Sequence, residues 1–443
     1  MKKLLVVSIL LTTILFGCSK YNAGELTGVP GREVWFESQP YGMVFVPMGS
    51  FNMGPSDQDV AWAMNSFIKT VTVDAFWMDE TEITNNEYRQ FVFYVRDSIM
   101  RRKLGDQIED FIITEDEFGN PIDPPIINWE TEIDPQDEEQ VEIMKELYLA
   151  EHERFYRRKE IDTRKLMFEY YRVDMQQAAL KSNRYNFDTK EYTGSAVNAL
   201  GERMDVQDRS AFVLRDVINV YPDTLCWISD FTYSFNEPYT NLYFYHPAYD
   251  NYPVVGVNWK QARAFTVWRT KTLNDYLSSA GEGTVQDYRL PNEAEWEYAA
   301  RGNLDLSMYP WGGMYTRNKS GCFLANFKPL RGNYSDDGGI IPVAVGSYSP
   351  NEYGLFDMAG NVAEWTANAF DESAYSFVHD MNPDYRYEAL PNDPPSMKRK
   401  VIRGGSWKDI GYFLQNGTRI YEFQDSAKSY IGFRCVRSYL GTN

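Results

Sequence analysis

The last third of the chain consists of short aromatic segments separated by glycine turns, and this pattern restricts the folds open to it. The segments are YPWGG (309–313), CFLANFKP (322–329), GLFDMAGNVAEW (354–365), VIRGGSW (401–407) and GFRCVRS (432–438). Glycine and proline mark turns, so such frequent punctuation leaves little room for regular helices. With aromatic residues at 16% of 443 positions, the chain can still bury a large core. The pattern predicts a compact domain with much irregular structure.

Regular elements are predicted in two parts of the chain outside that pattern. Segment 41–54 alternates apolar residues and closes on glycines, which predicts strands joined by a tight turn. Thr84, Asn258 and Asn292 each precede an apolar periodic run and are predicted to be helix N-caps. Gly302 is predicted to end the helix that begins after Asn292.

Residues 97–240 differ in character and are predicted to form an insertion into the first part of the domain. Stretch 137–182 combines dense charge with apolar residues at helical spacing, which predicts one or two helices with Asp162 as an N-cap. A solvated face and an interaction surface both remain open for this stretch. The net charge of −19 argues against a nucleic-acid partner and permits a basic protein partner.

The N-terminus has the form of a secretory signal. Two lysines precede an apolar run over residues 4–16, which is too short to span a bilayer as a mature helix. The sequence LFGC resembles a bacterial lipobox, which implies a signal peptide over 1–17, lipidation of Cys18 and a tether over 18–40. In some bacteria with such lipoproteins, an acidic cluster after the lipidated cysteine is associated with export to the cell surface. Residues 19–24 lack such a cluster, which favours an anchor facing the periplasm. An ordinary secretory peptide with a chance cysteine is the alternative.

Several motifs resemble the formylglycine-generating, sulfatase-modifying-factor family. RLPNEAEWEYAARG, YPWG, GLFDMAGNVAEW, RGGSW and GFRCV occur in the family's order, and GMVFVPMGSFNMG and FWMDETEITNNEYRQFV match its N-terminal part. The predicted domain comprises residues 41–96 and 241–443. The resemblance implies an α+β, C-type-lectin-like fold that is low in regular secondary structure, with residues 97–240 as an acidic, largely helical insertion.

Active members of that family are oxygenases that convert a sulfatase cysteine to formylglycine with a copper ion held by two cysteines. The resemblance places those two thiols at Asp409 and Leu414, and neither residue offers the soft thiolate that Cu(I) prefers. Ser406 matches a serine of the family's oxygen site and Trp407 follows it, but a hydroxyl without metal or base is not an activated nucleophile. We therefore expect a vestigial pocket, no copper and no enzymatic activity.

The family also carries structural calcium sites built from hard oxygen ligands, which calcium prefers. The resemblance implies two such sites, with calcium as a structural cofactor; acids that merely cap turns are the alternative. The implied ligands are Asp357, the Gly360 and Val362 carbonyl oxygens and Glu364 for the first site, and the Asn326 side chain, the Phe327 carbonyl oxygen, Asp337 and the Gly339 carbonyl oxygen for the second.

Three cysteines lie beyond the signal: Cys226, Cys322 and Cys435. None belongs to a C-x-x-C pair, so a zinc site is not indicated. Cys322 and Cys435 are predicted to be core residues. In an oxidising compartment two of the three could form a disulfide, and the sequence does not indicate which two; the third cysteine must then stay free.

Within the family, the lipoprotein signal, the acidic insertion and FNEPYTNLYFYHPAYDNYPVVGVNW resemble the gliding-motility lipoprotein K (PorK-type) group of the type IX secretion system. The resemblance implies a lipid-anchored protein on the periplasmic face of the outer membrane. It also implies rings built from copies of the chain and a periplasmic N-component protein, contact with the trans-envelope motor and with other outer-membrane lipoproteins of the system, and no nucleic acid. The paralogous lipoprotein J group is the alternative.

Two other classes of function remain as alternatives. One is a periplasmic formylglycine-generating-type oxygenase that uses the pocket differently, as some relatives use iron. Iron would need a set of histidine ligands, and His152, His246 and His379 are scattered along the chain. A lectin-like module would bind a small ligand at Trp365 and Trp407, although both tryptophans are more often core residues in such a fold.

Overall fold

The computed structural model describes residues 37–55, 67–116, 118–154, 156, 158–233, 238–330, 333, 335–336 and 338–441. The predicted signal peptide, Cys18 and most of the predicted tether lie outside the described residues. Gln39–Tyr439 forms one compact unit, and the second unit, Met1–Ser38 with Leu440–Asn443, is described only at residues 37, 38, 440 and 441. None of the described helices is both long and apolar enough to cross a bilayer.

Helices begin where the sequence supplies a side-chain cap. Thr84, Asn258 and Asn292 each accept a hydrogen bond from the backbone N–H three residues later, so these predicted N-caps are confirmed. Gly302 ends the third of these helices with φ of 57°, as predicted. The helices are α1 (Asn85–Gly105), α2 (Glu138–Met144), α3 (Met175–Ala179), α4 (Cys226–Asp230), α5 (Tyr239–Leu242), α6 (Trp259–Ser279), α7 (Glu293–Arg301) and α8 (Ala374–Phe377).

Two four-stranded sheets make the centre of the domain. Their strands are β1 (Met43–Val46), β4 (Phe76–Asp79), β13 (Tyr288–Arg289), β14 (Ala363–Ala369), β15 (Arg399–Arg403), β16 (Ile420–Phe423), β17 (Ile431–Gly432) and β18 (Val436–Ser438). The first sheet has the order β1-β4-β18-β13 and is antiparallel throughout; the second has the order β16-β15-β14-β17, with only β14 and β17 parallel. The mixture of helices and small sheets confirms the α+β class.

Five two-stranded antiparallel ribbons surround this centre. They pair β2 (Gly49–Met53) with β3 (Lys69–Val73), β5 (Ile112–Glu115) with β6 (Pro121–Ile127), β7 (Met167–Val173) with β12 (Val213–Asn219), β8 (Tyr185–Asn186) with β9 (Glu191–Tyr192), and β10 (Ser195–Val197) with β11 (Arg203–Asp205). Four of the five ribbons lie within residues 97–240.

The prediction of a largely helical insertion is therefore wrong. Within 137–182 the helices are α2 and α3, of seven and five residues, together with short 3-10 turns, and β7 lies between them. Asp162 does cap a helix, but it is the 3-10 turn Thr163–Lys165. The helical spacing came from Leu166, Tyr170 and Val173, whereas in the structure alternate residues of this segment face inward, as in a strand.

The β7–β12 ribbon belongs to the main core. Leu166 and Tyr170 are each 4% exposed and pack in one apolar cluster with residues of α1 and α6. A shell of ion pairs closes over this contact: Arg172 and Arg263 each bind both Asp216 and Glu388, with nitrogen–oxygen distances of 2.5–2.8 Å. Removing stretch 137–182 as a block would therefore remove part of the core.

The three cysteines of the described part of the chain are free thiols. Cys226 and Cys435 are buried, and burial raises the pKa of both thiols, so they are inert core residues. Cys322 is exposed, which contradicts its prediction as a core residue.

Candidate functional site

The turn after β15 delivers Ser406 to the predicted pocket. Gly404 and Gly405 have φ of 90° and 67°, backbone values that residues with a side chain rarely adopt. A Cβ atom on Gly405 would also lie 2.8 Å from the carbonyl oxygen of Phe413. Both glycines are therefore required for the backbone to reverse at this point.

In the predicted vestigial pocket, Ser406, Asp409 and Leu414 each contact other residues of the fold. Ser406 is fully buried and donates a hydrogen bond to Asp409 at 2.6 Å. Burial raises the pKa of the Asp409 carboxyl above its ordinary value, an effect partly opposed by that hydrogen bond. Leu414 is fully buried in an apolar cluster with Phe327 and Ala359. The position that the family gives to the second thiol is thus filled by hydrocarbon.

Trp407 and Trp365 have structural partners. Trp365 is fully buried and its indole donates to the Val257 carbonyl at 3.1 Å. Trp407 is half-buried, stacks on Trp227 and donates to the Ser429 carbonyl at 3.2 Å. A buried Trp365 cannot contact a glycan, so the lectin-like alternative loses half of its predicted site.

The three histidines do not form a metal site in the part of the chain that the structure describes. His152, His246 and His379 are all exposed, and His246 caps a 3-10 turn through Nδ1. Among the described residues, no three histidine, cysteine or acidic side chains converge as metal ligands.

The first implied calcium site contains an arginine. Glu364 accepts from Arg434 Nε at 2.9 and 2.8 Å and from Nη2 at 2.6 Å. Its Oε2 also accepts from the Trp296 indole at 2.7 Å. Both carboxylate oxygens are thus occupied by nitrogen donors. Glu364 does not fit the role of a calcium ligand in this arrangement, since a guanidinium already neutralises it.

Next to that ion pair lie two buried carboxyl groups that are only partly satisfied. Asp357 accepts from the Gly346 N–H at 2.6 Å through Oδ2, and Glu82 accepts from Asn361 at 3.1 Å through Oε1. Their other oxygens, Oδ1 and Oε2, are buried without a hydrogen-bond partner. Burial raises the pKa of Asp357 to about 6, and burial followed by the charge of Asp357 raises the pKa of Glu82. The family motif alone did not indicate Glu82.

The second implied calcium site is described in part. Asn326 is 1% exposed; its Nδ2 donates to the Ile341 carbonyl at 2.9 Å, and its Oδ1 has no partner. Gly339 lies so close that a Cβ there would approach Nδ2 of Asn326 to 3.0 Å. Phe327 is buried beside Asn326 in the chain, whereas Asp337 lies outside the described residues. A buried, unpaired amide oxygen fits a cation, because a lone acceptor without a partner is costly.

The two implied sites are joined by the backbone between Gly360 and Val362. The Asn361 N–H donates to the Asn326 carbonyl at 2.9 Å, and a Cβ on Gly360 would lie 2.4 Å from that oxygen. Val362 is 1% exposed in a neighbouring apolar cluster. Only glycine at 360 allows the two loops to approach each other this closely.

The Glu364–Arg434 pair should contribute strongly to stability. Glu364→Gln leaves a fully buried guanidinium without its counter-charge, so we expect the free energy of unfolding to fall by about 3–5 kcal/mol in urea denaturation. Glu169→Gln is the matched control: it breaks the bidentate pair with Arg215 on the solvent-facing side of the β7–β12 ribbon and should have a small effect. Equal losses in the two variants would contradict the role given to Arg434.

Comparison with known proteins agrees with the motifs. Residues 34–148 and 178–439 match the family model of the sulfatase-modifying factor enzyme 1-like domain. Inactive C-alpha-formylglycine-generating enzyme 2 of Bos taurus is 35% identical over 193 residues, 42% of this chain and 50% of that protein. The formylglycine-generating enzyme of Mus musculus is 32% identical over 198 residues, 43% of this chain and 46% of that protein.

The chain spans about half the length of these curated relatives. Among solved structures, PvdO from Pseudomonas aeruginosa aligns with 90% of this chain and 94% of its own, at 17% identity and a TM-score of 0.44. Because the family model matches well over half of its residues, the chain belongs to the family of sulfatase-modifying factor enzyme 1-like domains.

Proposed function

We propose that this chain is a non-catalytic member of its family. The observation that carries the proposal is the content of the pocket: Leu414 fills one thiol position with buried hydrocarbon, and Asp409 at the other is bonded to Ser406. A carboxylate and an aliphatic side chain cannot provide the thiolate pair that holds Cu(I). The frame around the pocket then serves the fold rather than a reaction.

The purified chain should neither bind copper tightly nor convert the cysteine of a sulfatase-motif peptide to formylglycine. Copper content is measured after loading with Cu(I) under reducing conditions, and conversion by the mass of the peptide. An active family member treated in the same way is the positive control. Turnover of the peptide by the purified chain would contradict the proposal.

We further propose that the chain acts as a scaffold in the type IX secretion and gliding-motility machinery. In this proposal it is anchored to the outer membrane through Cys18 and builds periplasmic rings with copies of itself and an N-component partner. The resemblance of the sequence to the lipoprotein K group supports this proposal, and lipoprotein J is the alternative within the same machinery. The insertion also supports it, since residues 97–240 carry 31 acidic against 17 basic side chains. An excess of negative charge of this size favours association with positively charged partners.

Lipidation and assembly can be tested together with one pair of cysteine variants. Cys18→Ala should leave the outer-membrane fraction and be absent from large particles isolated with the membrane and viewed by electron microscopy. Cys322→Ala, which removes an exposed thiol of the folded domain, should behave as the wild type. The proposal fails if Cys18→Ala stays with the outer membrane in cells lacking its partners, or if wild-type protein yields no large particles.

We propose calcium as a structural cofactor at the Asn326 site alone. Asn326 Oδ1 is the observation that supports it, and the Phe327 and Gly339 carbonyls with Asp337 are the other ligands implied by the family. Bound there, the cation would coordinate the unpaired oxygen and hold the loop near 339 against Asn326. The first site does not need calcium at Glu364, because Arg434 provides the positive charge.

Chelation should therefore lower the melting temperature of the wild type but not of Asn326→Ala, as measured by thermal unfolding with calcium or EDTA. Asn416→Ala is the matched control, because Asn416 is also fully buried with an unpartnered Oδ1 but lies in another loop. That variant should respond to EDTA like the wild type. An equal response of all three proteins would exclude the Asn326 site.

A further inference from the structure

The β5–β6 ribbon carries an apolar pair on its outward face. Ile113 and Ile126 are directly opposite in the antiparallel register and are 40% and 53% exposed. The neighbouring pair, Ile112 and Ile127, is less exposed, and Ile112 packs so closely on α1 that a Cβ on Gly105 would lie 2.3 Å from its methyl group. One face of the ribbon is thus fixed on α1, and the other presents two isoleucines to solvent.

The ribbon ends in an exposed aromatic side chain and has one edge that resists pairing. Phe118, in the turn between the strands, is 87% exposed. Three of the seven residues of β6 are prolines, which cannot donate ladder hydrogen bonds. Among the described strands, neither β5 nor β6 pairs with a third. A ligand would therefore make its contact through side chains on the outward face rather than through backbone pairing along β6.

The ribbon also lies in the most one-sided charge segment of the chain. Between residues 104 and 144 there are 14 acidic residues and no lysine, arginine or histidine. Glu115, Asp123 and Glu130, in and beside the two strands, are exposed, and none of them has an ion-pair partner within the described part of the chain. The nearest lysines along the chain, Lys103 and Lys145, are paired with Glu146 and Glu142.

We propose that the outward face of the β5–β6 ribbon is a docking surface for a cationic segment of another protein. Apolar side chains of the segment pack on Ile113, Ile126 and Phe118, while its lysines and arginines meet the unpaired carboxylates around them. A second copy of this chain presenting the same face would place like charges together, so charge complementarity selects a basic partner. The surface lies outside the pocket, and the proposal does not rest on the ring assembly proposed above.

A second ribbon provides the matched control. On β7–β12, Val173 and Val213 form the same kind of exposed cross-strand apolar pair, at 55% and 42% exposure. There the neighbouring charges, Glu169 and Arg215, neutralise each other in a bidentate pair. The two ribbons thus share exposed apolar pairs and differ in unpaired negative charge.

The test measures binding of a fluorescein-labelled eight-residue peptide of alternating lysine and valine to the purified full chain by fluorescence anisotropy. A peptide with glutamate in place of lysine is the comparison. We expect saturable binding of the lysine peptide only, weakened at least tenfold by Ile113→Gln/Ile126→Gln and less than twofold by Val173→Gln/Val213→Gln. Raising NaCl from 50 to 300 mM should also weaken binding, because exposed charges are screened.

A charge variant keeps the test decisive if the isoleucine variant folds poorly. Glu115→Gln/Asp123→Asn/Glu130→Gln should weaken binding of the lysine peptide at least tenfold at 50 mM NaCl and reduce the effect of added salt. The proposal is overturned if binding is not saturable or if the glutamate peptide binds equally well. It is also overturned if both ribbon variants weaken binding to the same extent or if the charge variant binds like the wild type.

Discussion

The fold depends on the pairing of charges around a helix that is buried on every side. All nine residues of α7 are buried, and they include Glu293, Glu297 and Arg301. Glu297 binds Arg301 at 2.6 Å and also Arg403 at the end of β15, while Glu293 binds Arg419 at 2.5 Å. An unpaired charge at this depth would cost several kcal/mol, so the helix can be buried only when these partners are in place.

This constraint explains why the residues around the pocket can be retained although the two thiols that hold copper in active family members are missing. Arg403 is followed directly by the glycine turn that holds Ser406, so the residue that neutralises Glu297 also fixes where the turn begins. The buried Glu364–Arg434 pair similarly ties β14 to the segment before β18. Selection for a stable fold would retain both arrangements whether or not thiols stand at positions 409 and 414.

The sequence predicted those features that depend on neighbours along the chain. The N-caps Thr84, Asn258 and Asn292 and the helix stop at Gly302 could be predicted because a cap and its partner lie within one helical turn. Strand β7 was missed because Leu166, Tyr170 and Val173 have the spacing of one face of a helix. Pairing with β12, which the spacing within the segment does not show, makes residues 167–173 a strand instead. The Glu364–Arg434 contact and the nearby Glu82 could not be predicted either, since their partners lie 70 to 279 residues away.

The order of strands in the first central sheet has a consequence for how such a chain is made. β18 lies between β4 and β13, so residues near 436 must insert beside residues near 77 before that sheet is complete. Contacts of such long sequence separation form late, because the intervening loop must first be closed. The ribbons of the insertion, apart from β7–β12, join strands that are close in the chain and can form earlier. A chain still emerging from a ribosome or a translocation channel therefore has local ribbons but no closed first sheet until residues 436–438 are released.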